Sequence, residues 1–492
     1  MAQPYVIACD LGTSGVKVIA CDVSSGEILR SVTEQYPLYV DGVNAEQDPQ
    51  DYWDAICRGS RCLTESGLPA ADCAGLVFGT QWRGLIPVSG DGKVLRRGII
   101  WMDKRATAEA EELNRALGRD LFCQADYWPK LMWFRKHQPE LYQASAYILE
   151  PNAFLKWKAT GQFYSDITNH YARAYHGERD AFYRIILEKA GLDQQKFPPL
   201  CEPSQQIGAV TPEAAAQLGL PAGTPVFGGC CDIPALAIGA GCSRPGDVHA
   251  YLGTSGWLGH IQSIDPQATY VPSLDRQHDV GFYGMGVSVG PSTQWMLDTF
   301  FREEKERYGK AVWSHLEEQM DRVPAGSGRL LAAPWFFGGR PPLSSAAARG
   351  IFFNLNNTHT RIHMLKAIFE GSGYILRQNL ETLNASRTEP VASITVCGGG
   401  ALNRCWMQAL ADILQVEIKV PVEAQSIGSV GVAYCALVGL GAVENFDSIA
   451  RSIRYEHVYQ PIPAHFAEYD LLYREFTQLH SRLYDAFAAL NI

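Results

Sequence analysis

The sequence Leu-Gly-Thr-Ser-Gly occurs twice in the chain, at Leu11–Gly15 and at Leu252–Gly256. Each copy follows an apolar, strand-like run and has the composition of a tight β-hairpin turn, in which glycine permits positive φ angles. Successive backbone N–H groups in such a turn form a concave site that suits phosphate oxygens. The repeat therefore predicts a nucleotide whose phosphates are bound between two related domains. Because short motifs often arise by chance, coincidence is an equally good interpretation of the repeat taken alone.

Two aspartates stand where phosphate chemistry needs a carboxylate. Asp10 precedes the first turn, whereas Tyr251 precedes the second, so a magnesium ion is offered a carboxylate on one side only. Asp232 follows the apolar run 225–231, which contains a glycine pair. A carboxylate at such a strand end can accept the proton of a hydroxyl that attacks a γ-phosphoryl group. The competing interpretation is that Asp232 is the N-cap of the helix that follows.

Two further segments have residue types suited to binding. Trp101 and Asp103 combine an aromatic face with a hydrogen-bonding acid, which is a common way to hold a polyol. A salt bridge between Asp103 and Arg105 is the structural alternative. The glycine turn 398–401 leads into Asn403 and a helix from about Arg404 to Leu414, and such a turn can approach an adenine or a ribose closely.

The predicted elements give the two halves the same order. In the first half, three strands, a helix that starts at Asp48-Pro49 and a fourth strand follow one another. This is the opening order of the actin-like, or ribonuclease H-like, nucleotide-binding fold. We therefore predict an α/β protein of two actin-like ATPase domains, 1–242 and 243–492, with an interdomain active-site cleft and a glycine-rich hinge at 239–247. The predicted elements are strands 5–9, 16–21, 27–37, 74–78, 225–232, 248–252, 257–261 and 393–397, and helices 49–66, 292–307, 361–383, 404–414 and 466–490.

Bulk properties restrict the class of protein. The 492 residues exceed what one hydrophobic core normally supports, and the net charge of −10 argues against a nucleic-acid or anionic-membrane partner. The 13 cysteines show no CxxC spacing, which is typical of a reduced, cytoplasmic protein, and Cys230-Cys231 next to Asp232 reads as buried packing. No signal peptide is evident, and the apolar run 430–443 is too short to span a bilayer, so it is predicted to be a buried helix.

Taken together, these motifs resemble the FGGY family of carbohydrate kinases, which includes xylulose, ribulose, gluconate and glycerol kinases. The resemblance covers nearly the whole chain, and the motifs follow the family's order. The matching segments are the first phosphate motif at 10–17, W-x-D-x-R at 101–105, P-K-x-x-W at 129–133, the segment 152–161, Gly229–Asp232, the second phosphate loop at 252–256, 290–295, 348–350 with 370–371, and the adenosine motif at 398–403.

The resemblance implies a role for each matching residue, with ATP and Mg²⁺ as the bound partners. Asp10 is expected to hold magnesium, and Asp232 to be the catalytic base. Sugar contacts are expected from Arg83, Trp101, Asp103, Trp128 and Asp232. Nucleotide contacts are expected from Gly12, Thr13, Ser14, Lys17, Gly253, Thr254, Gly290, Gln294, Gly399, Gly400, Ala401 and Asn403.

Three departures from the family pattern concern the substrate. Ile233 follows Asp232 where the family often has Gln or Asn, and Gly339 stands in place of a family acid. Trp82-Arg83-Gly84 matches neither the Met-His-Gly of xylulose kinases nor the Gln-Arg-Glu of glycerol kinases. We predict ATP-dependent phosphorylation of a ketopentose or a related small carbohydrate by a cytoplasmic enzyme, with a homodimer as a possible assembly. The alternatives are a glycerol or tetritol kinase and a catalytically degenerate regulatory or interaction protein.

Overall fold

The chain folds into two compact units. A computed structural model describes residues 3–169, 177–253, 255–264, 272–275, 277–284, 289–336, 338 and 347–491, with only the backbone described at 177–183. The N-terminal unit comprises Met1–Pro245, Gln262–Val280 and Gly428–Ser452, and the C-terminal unit comprises Gly246–Ile261, Gly281–Ile427 and Ile453–Ile492. The chain thus passes first from one unit to the other at Pro245, inside the segment predicted to be a hinge.

Two six-stranded sheets form the centres of the architecture. Their strands, with those of four smaller sheets, are β1 (Tyr5–Leu11), β2 (Gly15–Asp22), β3 (Ile28–Gln35), β4 (Tyr39–Asp41), β5 (Asn44–Gln47), β6 (Cys73–Thr80), β7 (Ile86–Val88), β8 (Gly98–Ile99), β9 (Tyr147–Leu149), β10 (Ser165–Asp166), β11 (Leu200–Cys201), β12 (Gln206–Ala209), β13 (Pro225–Cys231), β14 (Val248–Leu252), β15 (Gly256–Ser263), β16 (His278–Gly284), β17 (Leu331–Ala333), β18 (Ile351–Phe353), β19 (Ser393–Cys397), β20 (Glu417–Pro421) and β21 (Tyr455–Tyr459).

The two large sheets share the arrangement of five strands and differ in the outer one, because β12 precedes β13 in the sequence whereas β21 follows β20. The first has the order β3-β2-β1-β6-β13-β12, and the second has the order β16-β15-β14-β19-β20-β21. In each, an antiparallel hairpin (β1-β2 or β14-β15) joins two parallel strands (β6 and β13, or β19 and β20). The outer strand β12 or β21 is antiparallel in both. This duplication confirms the prediction of two actin-like domains.

Helices cover the sheets and close the cores. They are α1 (Pro49–Glu65), α2 (Thr107–Leu117), α3 (Tyr127–His137), α4 (Pro139–Ala144), α5 (Pro151–Thr160), α6 (Gly177–Ala190), α7 (Pro212–Leu218), α8 (Asp232–Gly239), α9 (Val289–Phe300), α10 (Arg302–Tyr308), α11 (Val312–Met320), α12 (Arg361–Asn384), α13 (Arg404–Leu414), α14 (Ile427–Gly439) and α15 (Phe466–Asn491).

Helix α1 illustrates how the sequence specifies these elements. The Asp48 side chain accepts a hydrogen bond from the N–H of Gln50, and Pro49 occupies the first turn, where its missing N–H costs nothing. Tyr52, Trp53 and Ile56 recur at helical spacing and are wholly buried against the first sheet. The predicted helix is therefore confirmed, with its cap and its buried face.

The predicted helix 292–307 is wrong in one respect, because two helices, α9 and α10, divide at Phe301. Phe301 has non-helical backbone angles, and its ring is fully buried in the core of the C-terminal unit. The Arg361 guanidinium lies 4.8 Å from that ring and donates to the carbonyl of Phe300 at 2.6 Å. Burial of the ring and satisfaction of the last carbonyl of α9 thus end the first helix.

Candidate active site

The carboxyl ends of three parallel strands meet at one edge of the first sheet. Asp10 on β1 is in register with Gly79 on β6, which is in register with Cys230 on β13. Adjacent strands lie about 4.8 Å apart, so the ends of β1 and β13 are separated by roughly 10 Å. Asp10 and Asp232 therefore lie at the same edge, although 222 residues separate them in the sequence.

Each Leu-Gly-Thr-Ser-Gly turn is closed by a backbone hydrogen bond from its first glycine, although the acceptor lies three residues on in the first turn and two residues on in the second. The N–H of Gly12 donates to the carbonyl of Gly15 at 2.9 Å, and the N–H of Gly253 donates to the carbonyl of Ser255 at the same distance. The expected positive φ is wrong for Gly12, Gly15 and Gly253. The reason for glycine is space at two of them: a Cβ on Gly15 would lie 2.5 Å from the Glu34 carbonyl oxygen, and one on Gly253 would lie 2.1 Å from the Tyr251 hydroxyl.

The first turn is fixed by side chains around Thr13. The indole nitrogen of Trp101 donates to the Thr13 hydroxyl at 2.9 Å, and the Gln47 amide donates to the Thr13 carbonyl at 2.7 Å. Gln81 donates to Gln47 at 2.8 Å, so these side chains form one network. The structure thus brings the predicted phosphate residue Thr13 and the predicted sugar residue Trp101 into direct contact.

Ser14 and Lys17 complete the first turn. Ser14 is exposed at its tip, whereas Lys17 is half-buried on β2, directly across from Asp10. Burial raises the pKa of the Asp10 carboxyl, while the Lys17 charge and a 3.3 Å hydrogen bond from the Ser429 hydroxyl act in the opposite direction. Burial therefore disfavours the charged form of Asp10, and a bound cation would favour it.

Asp232 is the first residue of α8. Cys231 occupies the N-cap position, with no side-chain capping bond, so the N-cap interpretation of Asp232 is wrong. Burial raises the pKa of Asp232 to about 7, and the nearby Asp10 charge adds to that rise, whereas the N–H of Ile233 and the Arg83 charge lower it. Among the residues described, the buried Oδ1 atom of Asp232 has no hydrogen-bond partner. Asp232 thus has the properties of a proton acceptor that works near neutral pH.

Arg83 occupies a strained position beside these acids. Its φ is +66°, which is uncommon for a residue with a side chain and is most frequent at functional sites. Its guanidinium pairs with Asp126 at 2.9 Å and lies 4.5 Å from the Trp82 ring. The fully buried Lys130 donates to the carbonyls of Arg83 and Ile100, at 2.6 and 3.0 Å, and so joins the two loops that carry Arg83 and Trp101.

The other two predicted sugar residues face inward. Asp103 is fully buried and forms a bidentate pair with Arg105, at 2.8 and 2.6 Å, and it also accepts from the N–H of Ala45 at 2.6 Å. This is the geometry of the salt-bridge alternative. Trp128 is wholly buried and packs edge-on against Tyr127, with ring centres 5.3 Å apart. Neither side chain is displayed at the strand edge as Trp101 is.

The C-terminal unit gathers the predicted nucleotide residues around β14. The N–H of Gly290, in the first turn of α9, donates to the Gly253 carbonyl at 2.9 Å, and Gln294 on the same helix is exposed and donates to Asp298 at 2.9 Å. Thr254 lies outside the described residues. The structure therefore joins the second turn to the start of α9.

A second group of nucleotide residues follows β19. Gly398 has φ +94°, and a Cβ on Gly400 would lie 2.8 Å from Leu252, so this turn packs directly on the end of β14. Ala401 is buried, and a Cβ on Gly399 would meet only the Gln425 amide at 3.7 Å. Asn403 caps α13 by accepting from the N–H of Trp406 at 2.9 Å, and its buried Nδ2 atom has no partner among the described residues. A buried amide donor in this state suits a ligand acceptor.

Several residues that shape the site were missed from the sequence. Gln47, Lys130 and Ser429 hold the first turn, the sugar-side loops and Asp10, respectively. Lys130 belongs to the P-K-x-x-W segment, which is a usable signal. Gln47 and Ser429 reach the site only through long-range folding, and no local pattern marks them.

Comparison with known proteins identifies the family. Models of the N-terminal and C-terminal domains of the FGGY family of carbohydrate kinases match residues 5–239 and 249–440. The chain belongs to the FGGY family of carbohydrate kinases. It is 27% identical to xylulose kinase of Bacillus subtilis over 502 aligned positions, which cover 99% of each chain.

Solved structures agree on the fold. A xylulose kinase and a gluconate kinase from Lactobacillus acidophilus both superpose with a TM-score of 0.84, at 24% and 23% identity, covering 99% of this chain and 100% of theirs. The chain is thus an ATP-dependent carbohydrate kinase with a small-molecule sugar substrate. Within the described ranges, none of the helices has the length and apolar character needed to cross a bilayer.

Proposed function

We propose that this kinase transfers the γ-phosphoryl group of ATP to a hydroxyl of a ketopentose, with Asp232 as the base. The observation that carries the proposal is the state of Asp232: a strand-end carboxyl with a pKa of about 7 and a buried oxygen that has no partner among the described residues. The choice of a ketopentose is supported by the Bacillus subtilis relative, which is named a xylulose kinase and aligns along its whole length.

In this mechanism the N-terminal unit binds the sugar and removes the proton. The Asp232 carboxylate accepts the hydroxyl proton as the oxygen attacks phosphorus, which requires a hydrogen-bond distance between them rather than a strong base. Trp101 supplies an aromatic face, and its bond to Thr13 fixes that face against the phosphate turn. Arg83 supplies hydrogen-bond donors to the sugar. Asp103 and Trp128 stay predicted sugar contacts, although they are buried beneath the site.

The C-terminal unit is proposed to hold ATP. The turn that begins at Gly253, the start of α9 at Gly290 and the turn Gly399–Ala401 all lie at the end of β14. The Nδ2 of Asn403, which has no partner in the part of the chain that the structure describes, offers a donor to the nucleoside. Gly12, Ser14 and Lys17 in the other unit, with Thr254 and Gln294, complete the predicted set of nucleotide contacts.

The residues at the strand edge fit a magnesium ion. The Asp10 charge raises the pKa of Asp232, and a divalent cation held by Asp10 would offset this repulsion. Asp10 is the residue we propose to hold the ion, since it is held in place by Ser429. When bound, magnesium neutralises charge on the phosphoryl oxygens.

Three less specific predictions accompany the mechanism. We propose that the two domains divide between residues 242 and 243, and that the protein forms a homodimer. A cytoplasmic location is proposed because ATP is the substrate and because all 13 cysteines are present as thiols rather than disulfides.

A coupled ADP-release assay tests the function. We expect xylulose to stimulate ADP release more than ribulose, gluconate, glycerol or erythritol. Asp232→Asn should lower this activity at least roughly 100-fold while ATP binding is retained, because only the proton acceptor is lost. Asp22→Asn is the matched control, since Asp22 is a buried carboxylate at the opposite edge of the same sheet. Undiminished phosphorylation by Asp232→Asn would exclude the assigned base, and no response to any ketopentose would exclude the substrate class.

A further inference from the structure

Strand β13, which leads into Asp232, contains an irregularity just before its end. Phe227 pairs with Val77 and Cys230 pairs with Gly79, so three residue steps of β13 match two steps of β6. The extra residue forms a β-bulge at Gly228-Gly229. Bulges bend a strand and redirect the side chains that follow, and they are frequent beside active sites. The direction of Asp232 therefore depends on how this bulge is held.

Buried side chains of α5 satisfy the carbonyl groups around the bulge. The Lys156 ammonium donates to the Gly228 carbonyl at 3.1 Å. The Asn152 amide donates to the Phe78 carbonyl at 2.7 Å and lies 3.4 Å from the Cys230 carbonyl. Lys156 and Asn152 are both 0% exposed. A buried lysine or asparagine is costly without hydrogen bonds, and loss of these contacts would leave both side chains unsatisfied. The contacts therefore hold the backbone at the end of β13 in place.

A second contact holds the residue directly before Asp232. The N–H of Cys231 donates to the Thr168 hydroxyl oxygen at 2.8 Å, and that hydroxyl donates in turn to Asp166. Asp166 lies 3.7 Å from the Lys156 ammonium. Thr168 and Asp166 are 0% exposed. A continuous buried network thus runs from α5 through Asp166 and Thr168 to the N-cap of α8.

We propose that Thr168, held by Asp166, is a positioning residue that sets the place of the Asp232 carboxylate during phosphoryl transfer. This inference rests on the proposed role of Asp232 as the base. Cys231 is the last residue before the first turn of α8, so the bond that orients its N–H helps to set the direction in which Asp232 leaves the strand. Proton transfer requires the base within hydrogen-bond reach of the attacking hydroxyl, and a displacement near 1 Å costs about 100-fold in rate.

Three variants of the full-length enzyme separate positioning from stability. Thr168→Val keeps the shape of the side chain but removes the acceptor for the Cys231 N–H. Thr168→Ser restores the hydroxyl. Asn169→Ala is the matched control, because the Asn169 amide donates to the same Asp166, at 2.8 Å, rather than to the backbone of β13. Each variant is assayed at a temperature at which circular dichroism shows it to be folded.

We expect Thr168→Val to lower kcat roughly 10- to 100-fold while KM for ATP changes less than about twofold. Thr168→Ser should recover most of kcat, and Asn169→Ala should lose stability without losing kcat. Should Thr168→Val fail to fold, Thr168→Ala, which removes the same acceptor, is judged by the same criteria.

The outcomes distinguish the positioning role of Thr168 from the proposed role of Asp232 as the base. A folded Thr168→Val with normal kcat, beside an inactive Asp232→Asn, overturns the positioning role alone. An equal loss of kcat in Thr168→Ser and Thr168→Val also overturns it, since the hydroxyl would then be irrelevant. An active Asp232→Asn overturns both proposals.

Discussion

At the scale of single residues, the site contains two acids whose protonation is set mainly by burial, and the charge of Asp10 adds to the effect at Asp232. Burial is the largest cause of the raised pKa at both Asp10 and Asp232. Lys17 and Ser429 favour the charged form of Asp10, whereas Arg83 and the start of α8 favour that of Asp232. The two carboxyls are thus prepared for different tasks, one to bind a cation and the other to accept a proton.

The raised pKa of Asp232 predicts the pH profile of the reaction. A base acts only when deprotonated, so kcat/KM, which reports the free enzyme, should rise with pH and reach half of its plateau near the pKa of about 7. Below about pH 6 the rate should fall close to tenfold per pH unit. The measurement is kcat/KM from acidic to mildly alkaline buffers. A profile that stays level through pH 7 down to about pH 5.5 would contradict the assignment.

Glu370 is a second buried acid, and its titration should affect stability. Its carboxylate accepts from the Gly326 N–H, the Ser327 hydroxyl and the Tyr469 hydroxyl, at 3.0, 2.7 and 2.9 Å, yet burial raises its pKa from 4.5 to about 7. The folded state therefore holds the proton more tightly than the unfolded chain. Because of this, the free energy of unfolding should fall as the pH rises from about 4.5 to about 7, by at most roughly 3 kcal/mol from this group.

Glu370→Gln isolates that contribution. The glutamine keeps the shape of the protonated acid, so we expect the variant to lose less stability than the native chain as the pH rises through this window. Thermal unfolding at a series of pH values measures the difference. Parallel curves for the two proteins would show that Glu370 does not titrate in this range.

At the scale of elements, the end of β13 depends on two glycines. Gly229 has φ +67°, and a Cβ there would lie 1.9 Å from the Phe78 carbonyl oxygen, whereas a Cβ on Gly228 would lie 2.1 Å from the Glu202 carbonyl oxygen. Both contacts are to backbone atoms, which cannot move aside without breaking the sheet. The bulge is therefore available only to glycine.

Gly229→Ala should be far more harmful than a comparable change nearby. Gly223 also has a positive φ, +93°, but a Cβ there would meet nothing within 4 Å. We expect Gly223→Ala to cost about 1 kcal/mol from backbone strain, and Gly229→Ala to cost roughly 3 kcal/mol or more because overlap is added to strain. Denaturant unfolding of the two variants provides the test, and equal losses would mean that the bulge is not tightly packed.

Much at this scale was predictable from the sequence because the signals are local. Hydrophobic period, the Asp48 cap and the Asn403 turn located α1, α13 and eight strands of the two large sheets within a few residues, whereas β12, β16, β20 and β21 were not predicted. The break at Phe301 was not predictable, because a distant residue, Arg361, donates the hydrogen bond to the last carbonyl of α9. The prediction of positive φ angles in the two phosphate turns was wrong because distant residues decide the need for glycine there. Glu34 and Tyr251 leave no space for a Cβ on Gly15 and Gly253.

Parts of the site were also beyond local reasoning. The approach of Asp10 to Asp232 follows from the strand order β1-β6-β13. The bond from Trp101 to Thr13 instead joins the loop after β8 to the first turn, and no local pattern marks it. The bidentate pair between Asp103 and Arg105 was one of two open interpretations, and only the burial of Asp103 distinguishes them. Ser429 reaches Asp10 across 419 residues of sequence, and nothing near either residue marks this contact.

At the scale of the whole molecule, the sequence order and the spatial units differ. The chain duplicates one arrangement of five strands, yet Gly428–Ser452, from the second half of the sequence, belongs to the N-terminal unit. Helix α14 lies there against β6 and α8: a Cβ on Gly79 would lie 2.1 Å from Val432, and one on Gly431 would lie 1.8 Å from the Ala235 carbonyl oxygen. The core of the first unit is thus completed by a late segment of the chain.

This exchange predicts how fragments of the chain will behave. Val432 and Leu437 are 0% exposed, and their burial alone stabilises the unit by about 3–6 kcal/mol, a large share of the stability of a typical domain. Residues 1–245 expressed alone should therefore lack a cooperative thermal transition and bind a hydrophobic dye. Joining residues 428–452 to this fragment through a flexible linker should restore cooperative unfolding.

The matched control is the same fusion with the substitution Gly431→Leu. Helix α14 cannot pack in this variant, because Ala235 leaves no room for a side chain at position 431. We expect this variant to behave like residues 1–245 alone. If the short fragment already unfolds cooperatively, with the midpoint of the fusion, then α14 only covers a unit that is stable without it. In that case Ser429 would be free to leave Asp10 without loss of the fold, and the metal-binding acid would be held by β1 and Lys17 alone.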